Sequence, residues 1–228
     1  MRIVTYNTHG GIGTDGKRSV RRIAETLAPY APDVVCLQEQ CQYPDPFGKG
    51  DHPGIVAARL TRNAVFQRNL DYLLGGYGNA TLFSGTQPEI WKRELPSGKE
   101  QRGALELRLR NIGGLRSLTV FNTHWGLDPE ERKAQAQALA SWVNVAPRPV
   151  ILAGDLNETL EGEALQLLLS LTGLIDAGAA SNLPTYPTTG PASRIDYLLH
   201  SPDLRLLRLE TLSSSASDHL ALLGDFEI

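Results

Sequence analysis

The segment RPVILAGDLNET, residues 148–159, places a carboxylate and a carboxamide directly after a short apolar run. Val150, Ile151 and Leu152 are typical of a strand that is buried on both faces. Asp155 and Asn157 follow this strand two residues apart, and in an extended chain residues at that spacing point to the same side. We therefore expect the two side chains to converge on one small target.

Polar side chains follow or interrupt several other apolar runs in the same way. RIVTY leads to Asn7, DVVCLQ to Glu39 and SLTVFNT to His124, while Asp196 lies within RIDYLL and the last strand is predicted to begin with Asp218 and His219. Taken singly, each residue has a structural explanation, such as a turn or a helix cap. Because strand ends in α/β sheets meet at a shared edge where active sites form, their conjunction predicts one polar cluster.

The remaining pattern predicts a mixed α/β architecture. Strands are expected at 2–6, 33–38, 64–68, 79–85, 89–95, 102–110, 115–123, 149–153, 194–200, 204–211 and 219–228, helices at 18–29, 54–62, 128–143 and 161–171, and a loop at 44–54. This is more strands than one sheet comfortably holds, so two packed sheets are expected. The chain has no internal repeat and no linker-like composition, which predicts a single domain over residues 1–228.

Composition narrows the class of protein. With 41% hydrophobic and 21% charged residues, the chain of 228 residues is typical of a packed globule. The net charge of −3 argues against reliance on nonspecific attraction to nucleic acid. No segment has the ~18 continuous apolar residues of a membrane span, and MRIVTYN does not look like a signal peptide. Cys36 and Cys41 form neither a disulfide framework nor a zinc site. We expect a cytoplasmic protein with no obvious protein partner.

In combination, these segments resemble the endonuclease/exonuclease/phosphatase superfamily, the DNase I-like metal-dependent phosphoesterases. The matching segments, in family order, are IVTYNTHGG, PDVVCLQE, GNATLFSG, QRGALEL, FNTHWG, ILAGDLNET, RIDYLLHS and SDHLAL. A GDLN motif with a later SDH is a fairly specific signal. The resemblance implies a four-layer α/β sandwich, in which two mixed β-sheets pack face to face with helices outside, and this agrees with the strand count.

The resemblance also implies a metal site. Glu39 would be the metal-binding carboxylate, with Asn7 and Asp218 close by. Oxygen donors of this kind suit Mg²⁺ or Mn²⁺. Asp155 would orient and deprotonate the attacking water, and Asn157 would hold that water or a phosphate oxygen.

Histidines complete the site that the resemblance implies. His219 would contact the phosphoryl group, and Asp196 would hold its other ring nitrogen, as carboxylate–histidine pairs do. His124 would be a second donor to the phosphate. Arg102, in QRGALEL, is a candidate for binding substrate or supporting a carboxylate; an ordinary strand-edge arginine is the alternative.

The function implied is metal-dependent hydrolysis of a phosphodiester or phosphomonoester by in-line attack of an activated water. The substrate class stays open among a small molecule, a lipid headgroup and a nucleic acid. The alternatives are a DNA or RNA endo- or exonuclease and a non-catalytic phosphate-binding module, which the intact set of acids, amides and histidines disfavours. Lys17, Arg18, Arg21 and Arg22 form a basic group that either guides an anionic substrate or is a solvated helix face.

Overall fold

A computed structural model describes residues 1–44, 50–72, 75–181 and 183–228, with Tyr72 described by its backbone only. The strands form two sheets of six. The first sheet has the order β11-β12-β1-β2-β4-β3, with β1 Arg2–Asn7, β2 Val34–Gln42, β3 Asn63–Tyr72, β4 Gly75–Phe83, β11 Arg205–Leu212 and β12 Ala221–Glu227. The second has the order β5-β6-β7-β8-β10-β9, with β5 Glu89–Glu94, β6 Gly103–Ile112, β7 Leu115–His124, β8 Val150–Asp155, β9 Ile175–Asp176 and β10 Asp196–His200.

Four α-helices cover the outer faces of the sheets in the described part of the chain. They are α1 Val20–Leu27, α2 His52–Leu60, α3 Pro129–Val143 and α4 Glu163–Thr172, and short 3₁₀ turns span His9–Gly11 and Ala28–Tyr30. Helices α1 and α2 pack on the first sheet, and α3 and α4 pack on the second. Among the described residues, no helix has the length and apolar character needed to cross a bilayer.

A third core cluster lies between the two sheets and joins them. Ile3 and Cys36 of the first sheet meet Val120, Ile151 and Leu198 of the second sheet there. The layers are therefore helix, sheet, sheet and helix, which confirms the predicted four-layer α/β sandwich with two mixed sheets.

Strand β8 shows why its sequence is an uninterrupted apolar run. Ile151 and Ala153 point into the cluster between the sheets, whereas Val150 and Leu152 point into the cluster beneath α3 and α4. Since alternate residues of a strand face opposite sides, both faces of β8 are buried and both need apolar residues. The same alternation places Asp155, two residues beyond Ala153, on the face between the sheets.

Several boundaries differ from the sequence prediction for local reasons. The predicted helix 18–29 is α1, followed by a 3₁₀ turn that contains Pro29, which lacks the N–H to continue an α-helix. Helix α2 begins at His52 instead of residue 54, because the Asp51 carboxylate caps it by accepting from the Gly54 N–H at 3.2 Å. Of the predicted loop 44–54, residues 45–49 lie outside the described residues.

The start of the last strand was predicted too early. Strand β12 begins at Ala221, so Asp218 and His219 precede the strand rather than open it. The Ser217 hydroxyl donates to the Asn7 carbonyl at 2.8 Å, which anchors this pre-strand segment to the end of β1. Strand β10 likewise begins at Asp196 instead of residue 194.

Candidate active site

The topology brings strand ends and strand starts to one edge of the sandwich. Strand β1 runs parallel to β2, and β7 runs parallel to β8, so the carboxyl ends of each pair lie together. Strands β12 and β10 run antiparallel to β1 and β8, so their starts lie at the same edge. In the second sheet, Asp155 is paired in register with His124 on one side and with Asp196 on the other. The shared edge predicted from the sequence is therefore present.

Asn7 and Asp155 meet across the gap between the two sheets. Asn7 continues the face of β1 to which Ile3 belongs, and Asp155 continues the inward face of β8. Asn7 Nδ2 donates to Asp155 Oδ2 at 2.9 Å and to Glu39 Oε1 at 3.0 Å. Asn7 thus bridges two carboxylates through its amide nitrogen, while its Oδ1 accepts from the His9 N–H at 3.1 Å.

A bulge in β2 turns Glu39 toward this cluster. The β2–β4 register shifts between Leu37 and Gln40, and Glu39 lies in the left-handed region with φ 57°. A bulge inserts an extra residue and re-aims side chains, so Glu39 contacts Asn7 although strict alternation from Cys36 would point it away. A left-handed conformation at a residue other than glycine is costly and is often found at functional sites.

The GDLN segment forms a turn, whereas the sequence predicted that it would be extended. Asn157 has φ 49°, and its N–H donates to Asp155 Oδ1 at 2.9 Å. Its Nδ2 lies 3.1 Å from His124 Nε2 and donates to the Trp125 carbonyl at 2.9 Å. Position 154 requires glycine, because a Cβ there would overlap the carbonyl oxygen of Thr123. Asp155 and Asn157 still converge, through the turn and through His124.

His219 and Asp196 form a hydrogen-bonded pair. His219 Nδ1 lies 2.9 Å from Asp196 Oδ2, and His219 Nε2 lies 3.7 Å from Asp155 Oδ2. Both residues are buried. The Ser217 hydroxyl holds the backbone of His219 by accepting its N–H at 3.2 Å. The imidazole therefore has one nitrogen fixed by Asp196 and the other directed toward Asp155.

His124 lies on the opposite flank of Asp155, next to a buried cation. Arg102 Nη1 is 3.0 Å from His124 Nδ1 and 3.1 Å from Glu100 Oε1. His124 Nε2 is 3.6 Å from Asp155 Oδ2. Arg102 is 7% exposed, so it is not an ordinary strand-edge arginine. Donor groups therefore face both ring nitrogens of His124, with Arg102 at Nδ1 and the Asn157 amide at Nε2.

The surroundings of the two histidines give them different protonation states. Burial, the Arg102 charge and the His219 charge lower the pKa of His124 well below its usual value. Burial would also lower the pKa of His219, but Asp196 and then Asp155 raise it to about 9. Burial and the neighbouring Asp196 raise the pKa of Asp155 to about 7, against the opposing effect of His219. At neutral pH the site therefore holds a neutral His124 and a cationic His219.

Asp218 stands apart from the other residues predicted to bind metal. Its Oδ1 lies 3.5 Å from His9 Nδ1 and 3.3 Å from the hydroxyl oxygen of Ser217, which donates its proton to the Asn7 carbonyl. In the portions of the chain described above, its side-chain contacts do not reach Glu39. The structure therefore joins Glu39 directly to Asn7, and it joins Asp218 to the same region through Ser217, which bonds to Asn7.

Sequence reasoning missed four residues around the site. They are Gln38, Asn122, Tyr77 and Tyr186. Gln38 Nε2 donates to Asn122 Oδ1 at 2.8 Å between the sheets, and the polar ends of DVVCLQ and TVFN could have revealed this tie. Burial and the Glu39 carboxylate raise the pKa of Tyr77, which borders Glu39. The ring of Tyr186 lies 4.8 Å from that of His219, and no sequence signal pointed to it.

The residues present fit a divalent cation. Asp155, Asp196 and His219 offer ligand atoms within 4.8 Å of one another, and Glu39 adds a further carboxylate one Asn7 side chain away. Asp196 Oδ1 is buried and has no hydrogen-bond partner among the described residues. Carboxylates gathered at one edge are the donors that Mg²⁺ and Mn²⁺ prefer, and buried carboxylates need a compensating charge.

Comparison with known proteins identifies relatives of this chain and of its fold. The chain is 26% identical over 213 residues to the uncharacterized protein YbhP of Escherichia coli, covering 86% of this chain and 83% of YbhP. A structure from Beutenbergia cavernae described as an endonuclease/exonuclease/phosphatase superposes with a TM-score of 0.83 at 23% identity, covering 100% of this chain and 71% of that one. A mannosyl-6-phosphatase of Bacteroides thetaiotaomicron superposes with a TM-score of 0.78 at 16% identity, with 100% of both chains covered.

At these identities the two solved structures establish the fold alone. The family assignment rests on a separate match, to the model of the Endonuclease/Exonuclease/phosphatase family, which covers residues 4–219. The matched range runs from β1 to His219 and so includes every candidate residue of the cluster. This protein belongs to the endonuclease/exonuclease/phosphatase family.

Proposed function

We propose that the protein is a metal-dependent phosphoesterase that hydrolyses a phosphodiester or phosphomonoester by in-line attack of an activated water. The observation that carries this proposal is the buried Asp155 carboxylate, held by Asn7 and by the Asn157 backbone and flanked by His124 and His219. Family membership supports it, as does the presence of a mannosyl-6-phosphatase among proteins of the same fold.

Asp155 is the proposed general base. Two N–H donors fix its carboxylate, so its orientation is set before substrate binds. A general base works best when its pKa lies near the working pH, and the raised pKa of Asp155, about 7, meets that condition. The Asn157 side chain, fixed by the Trp125 carbonyl, is positioned to hold the water or a phosphate oxygen.

His219 and His124 are the proposed phosphoryl contacts. The cationic His219 offers its Nε2 proton to a phosphoryl oxygen, and Asp196 holds Nδ1 and stabilises the positive charge. The neutral His124 is the second proposed contact, and its ring is held by Arg102 at Nδ1 and by the Asn157 amide at Nε2. The Nε2 atoms of His124 and His219 lie 3.6 Å and 3.7 Å from the same oxygen, Asp155 Oδ2, so both rings border the space beside the proposed base.

Glu39, Asn7 and Asp218 are the proposed residues that hold Mg²⁺ or Mn²⁺. When bound, the cation would polarise a phosphoryl oxygen and neutralise charge that develops on the leaving group. Asp155, Asp196 and His219 form an alternative set of metal ligands, because their ligand atoms lie close together. We favour Glu39 because the hydrogen bond between Asp196 and His219 already engages two members of that group.

The test is hydrolysis of bis-p-nitrophenyl phosphate and of p-nitrophenyl phosphate with Mg²⁺, with Mn²⁺ and with EDTA, together with a plasmid-nicking assay. We expect metal-dependent hydrolysis that is lost in His219→Ala and retained in His200→Gln, a matched change at a buried histidine outside the cluster. Activity in EDTA, or full activity in a folded His219→Ala protein, would contradict the proposal. Plasmid nicking in preference to both small esters would favour a nuclease.

A further inference from the structure

A cavity of about 680 Å³ opens beside the proposed metal-binding carboxylate. Glu39 lines one side, so the cavity is continuous with the catalytic cluster. Its other walls are largely apolar and aromatic and include Ile12, Tyr43, Leu70 and Tyr77. Ligand sites are typically apolar concavities with a few placed polar groups, and this cavity has that composition.

One arginine, Arg18, also lines the described part of the cavity. Arg18 belongs to the basic group noted in the sequence, whose function the catalytic cluster does not explain. Arg22 of that group pairs with Asp15 at 3.0 Å, whereas Arg18 forms no ion pair with any residue that the structure describes. Arg18 is exposed, so an anionic group in the cavity can reach it without displacing a partner among the described residues.

A second cavity, of about 740 Å³, lies on the other flank and has a different character. It is lined by Arg102 and by charged residues that include Lys99, Asp128 and Glu131. A polyhydroxylated group would find hydrogen-bond partners there. The described lining of this second cavity contains no aromatic ring, whereas Tyr43 and Tyr77 line the cavity beside Glu39, together with the polar His9 and Glu100.

We propose that the cavity beside Glu39 binds the organic group that is esterified to the phosphate of the substrate. The cavity selects a flat aromatic group that carries an additional anionic substituent, and this substituent pairs with Arg18. The substrate class is therefore an aryl or heteroaryl phosphoester with a second negative charge. This inference rests on the phosphoesterase function proposed above, because that function places the phosphoryl group at Glu39.

Binding of substrate-like phosphonates tests the cavity separately from catalysis. Phenylphosphonate, methylphosphonate and 4-carboxyphenylphosphonate are titrated into the protein with Mg²⁺, and binding is measured by calorimetry. Burial of one ring should make phenylphosphonate bind about tenfold more tightly than methylphosphonate. The carboxylate of 4-carboxyphenylphosphonate should tighten binding about threefold relative to phenylphosphonate. The gain is modest because the ion pair with Arg18 is partly exposed.

Single substitutions test which residues produce these two gains in binding affinity. Tyr43→Ala and Leu70→Ala should each reduce the preference for the phenyl group, and Leu127→Ala, an exposed change at the other cavity, should preserve it. Arg18→Gln should abolish the gain from the carboxylate, whereas Lys17→Gln, its exposed neighbour, should not. Thermal unfolding of each variant confirms that it is folded.

The outcomes separate the two proposals. Equal affinity for phenyl- and methylphosphonate, or a preference that survives in both Tyr43→Ala and Leu70→Ala, would overturn the assignment of the cavity whatever the activity. A preference that these variants remove, in a protein that hydrolyses no phosphoester, would support the cavity and overturn the proposed function. A carboxylate gain unchanged in Arg18→Gln would overturn the role of Arg18.

Discussion

Asp196 and His219 form a 2.9 Å hydrogen bond that joins the two sheets, because Asp196 opens β10 in one sheet and His219 precedes β12 in the other. Asn7 and Asp155 form a second such bond at 2.9 Å. The candidate cluster is therefore built across the sandwich and not on one sheet. These four side chains are buried and polar, so each depends on its partner in the other sheet for a hydrogen bond that compensates its burial.

The first prediction concerns pH. His219 has a raised pKa of about 9, so its cation persists up to that pH, and Asp155, with a pKa of about 7, is ionised above that value. We expect kcat/KM to be highest between about pH 7 and pH 9 and to fall on the alkaline side as His219 loses its proton.

Asp196→Asn tests the origin of the alkaline limb of the pH profile, which is the fall of kcat/KM at high pH. Removal of the Asp196 charge takes away the largest influence that raises the pKa of His219, so the limb should move to lower pH. NMR titration of the His219 ring should show the same displacement. Asp203→Asn, an exposed change away from the cluster, should leave the limb in place, and an unmoved limb in Asp196→Asn would remove Asp196 from this role.

The second prediction concerns the proposed base. Asp155→Asn preserves the size of the side chain and an oxygen that can accept from the Asn157 N–H, but it cannot take a proton. We expect kcat to fall by about 10³-fold or more, the range of general-base catalysis, with far-UV circular dichroism unchanged. Turnover within tenfold of wild type in a folded Asp155→Asn protein would assign the base elsewhere.

The third prediction locates the cation. Glu39→Gln should weaken binding of Mn²⁺ measurably by calorimetry, because it replaces a charged oxygen donor with a neutral amide. Glu94→Gln provides a matched change on an exposed strand residue. If Glu39→Gln binds Mn²⁺ with wild-type affinity and Asp196→Asn does not, the ion belongs to the group formed by Asp155, Asp196 and His219.

The fourth prediction concerns Gly154, which separates the apolar run from Asp155. A methyl group there would overlap the Thr123 backbone in the neighbouring strand, so Gly154→Ala should lower the free energy of unfolding by about 3 kcal/mol. Gly190→Ala is the control: it has a positive φ of 80° but open space around it, and should cost about 1 kcal/mol. Equal losses in urea denaturation would show that contact with Thr123 is not what requires glycine.

The sequence pattern predicted two packed sheets and the converging strand ends because both follow from strong regularities, whereas the four layers were implied by the family resemblance. Apolar alternation identifies a strand such as β8 and its two buried faces, and parallel strands must end at the same edge. The burial of Asp196 was also foreseeable, since a carboxylate within an apolar run requires a partner, and His219 provides it.

The local backbone of the site could not be predicted in this way. Nothing in the residues LQEQ marks the bulge that turns Glu39 inward, and the left-handed turn at Asn157 depends on the contact between Asp155 and the Asn157 N–H. The pairing of Arg102 with His124 arises from the register of β6 with β7, which brings together residues far apart in sequence. Such contacts are products of tertiary structure.

The pairing of β12 with β1 constrains when the cluster can assemble during synthesis. These two strands are far apart in the sequence but lie side by side in the first sheet. Asn7 leaves the ribosome long before His219 and the strand that follows it. A nascent chain therefore carries Glu39, His124, Asp155 and Asp196 before it can assemble the complete cluster, which forms only once β12 has paired with β1.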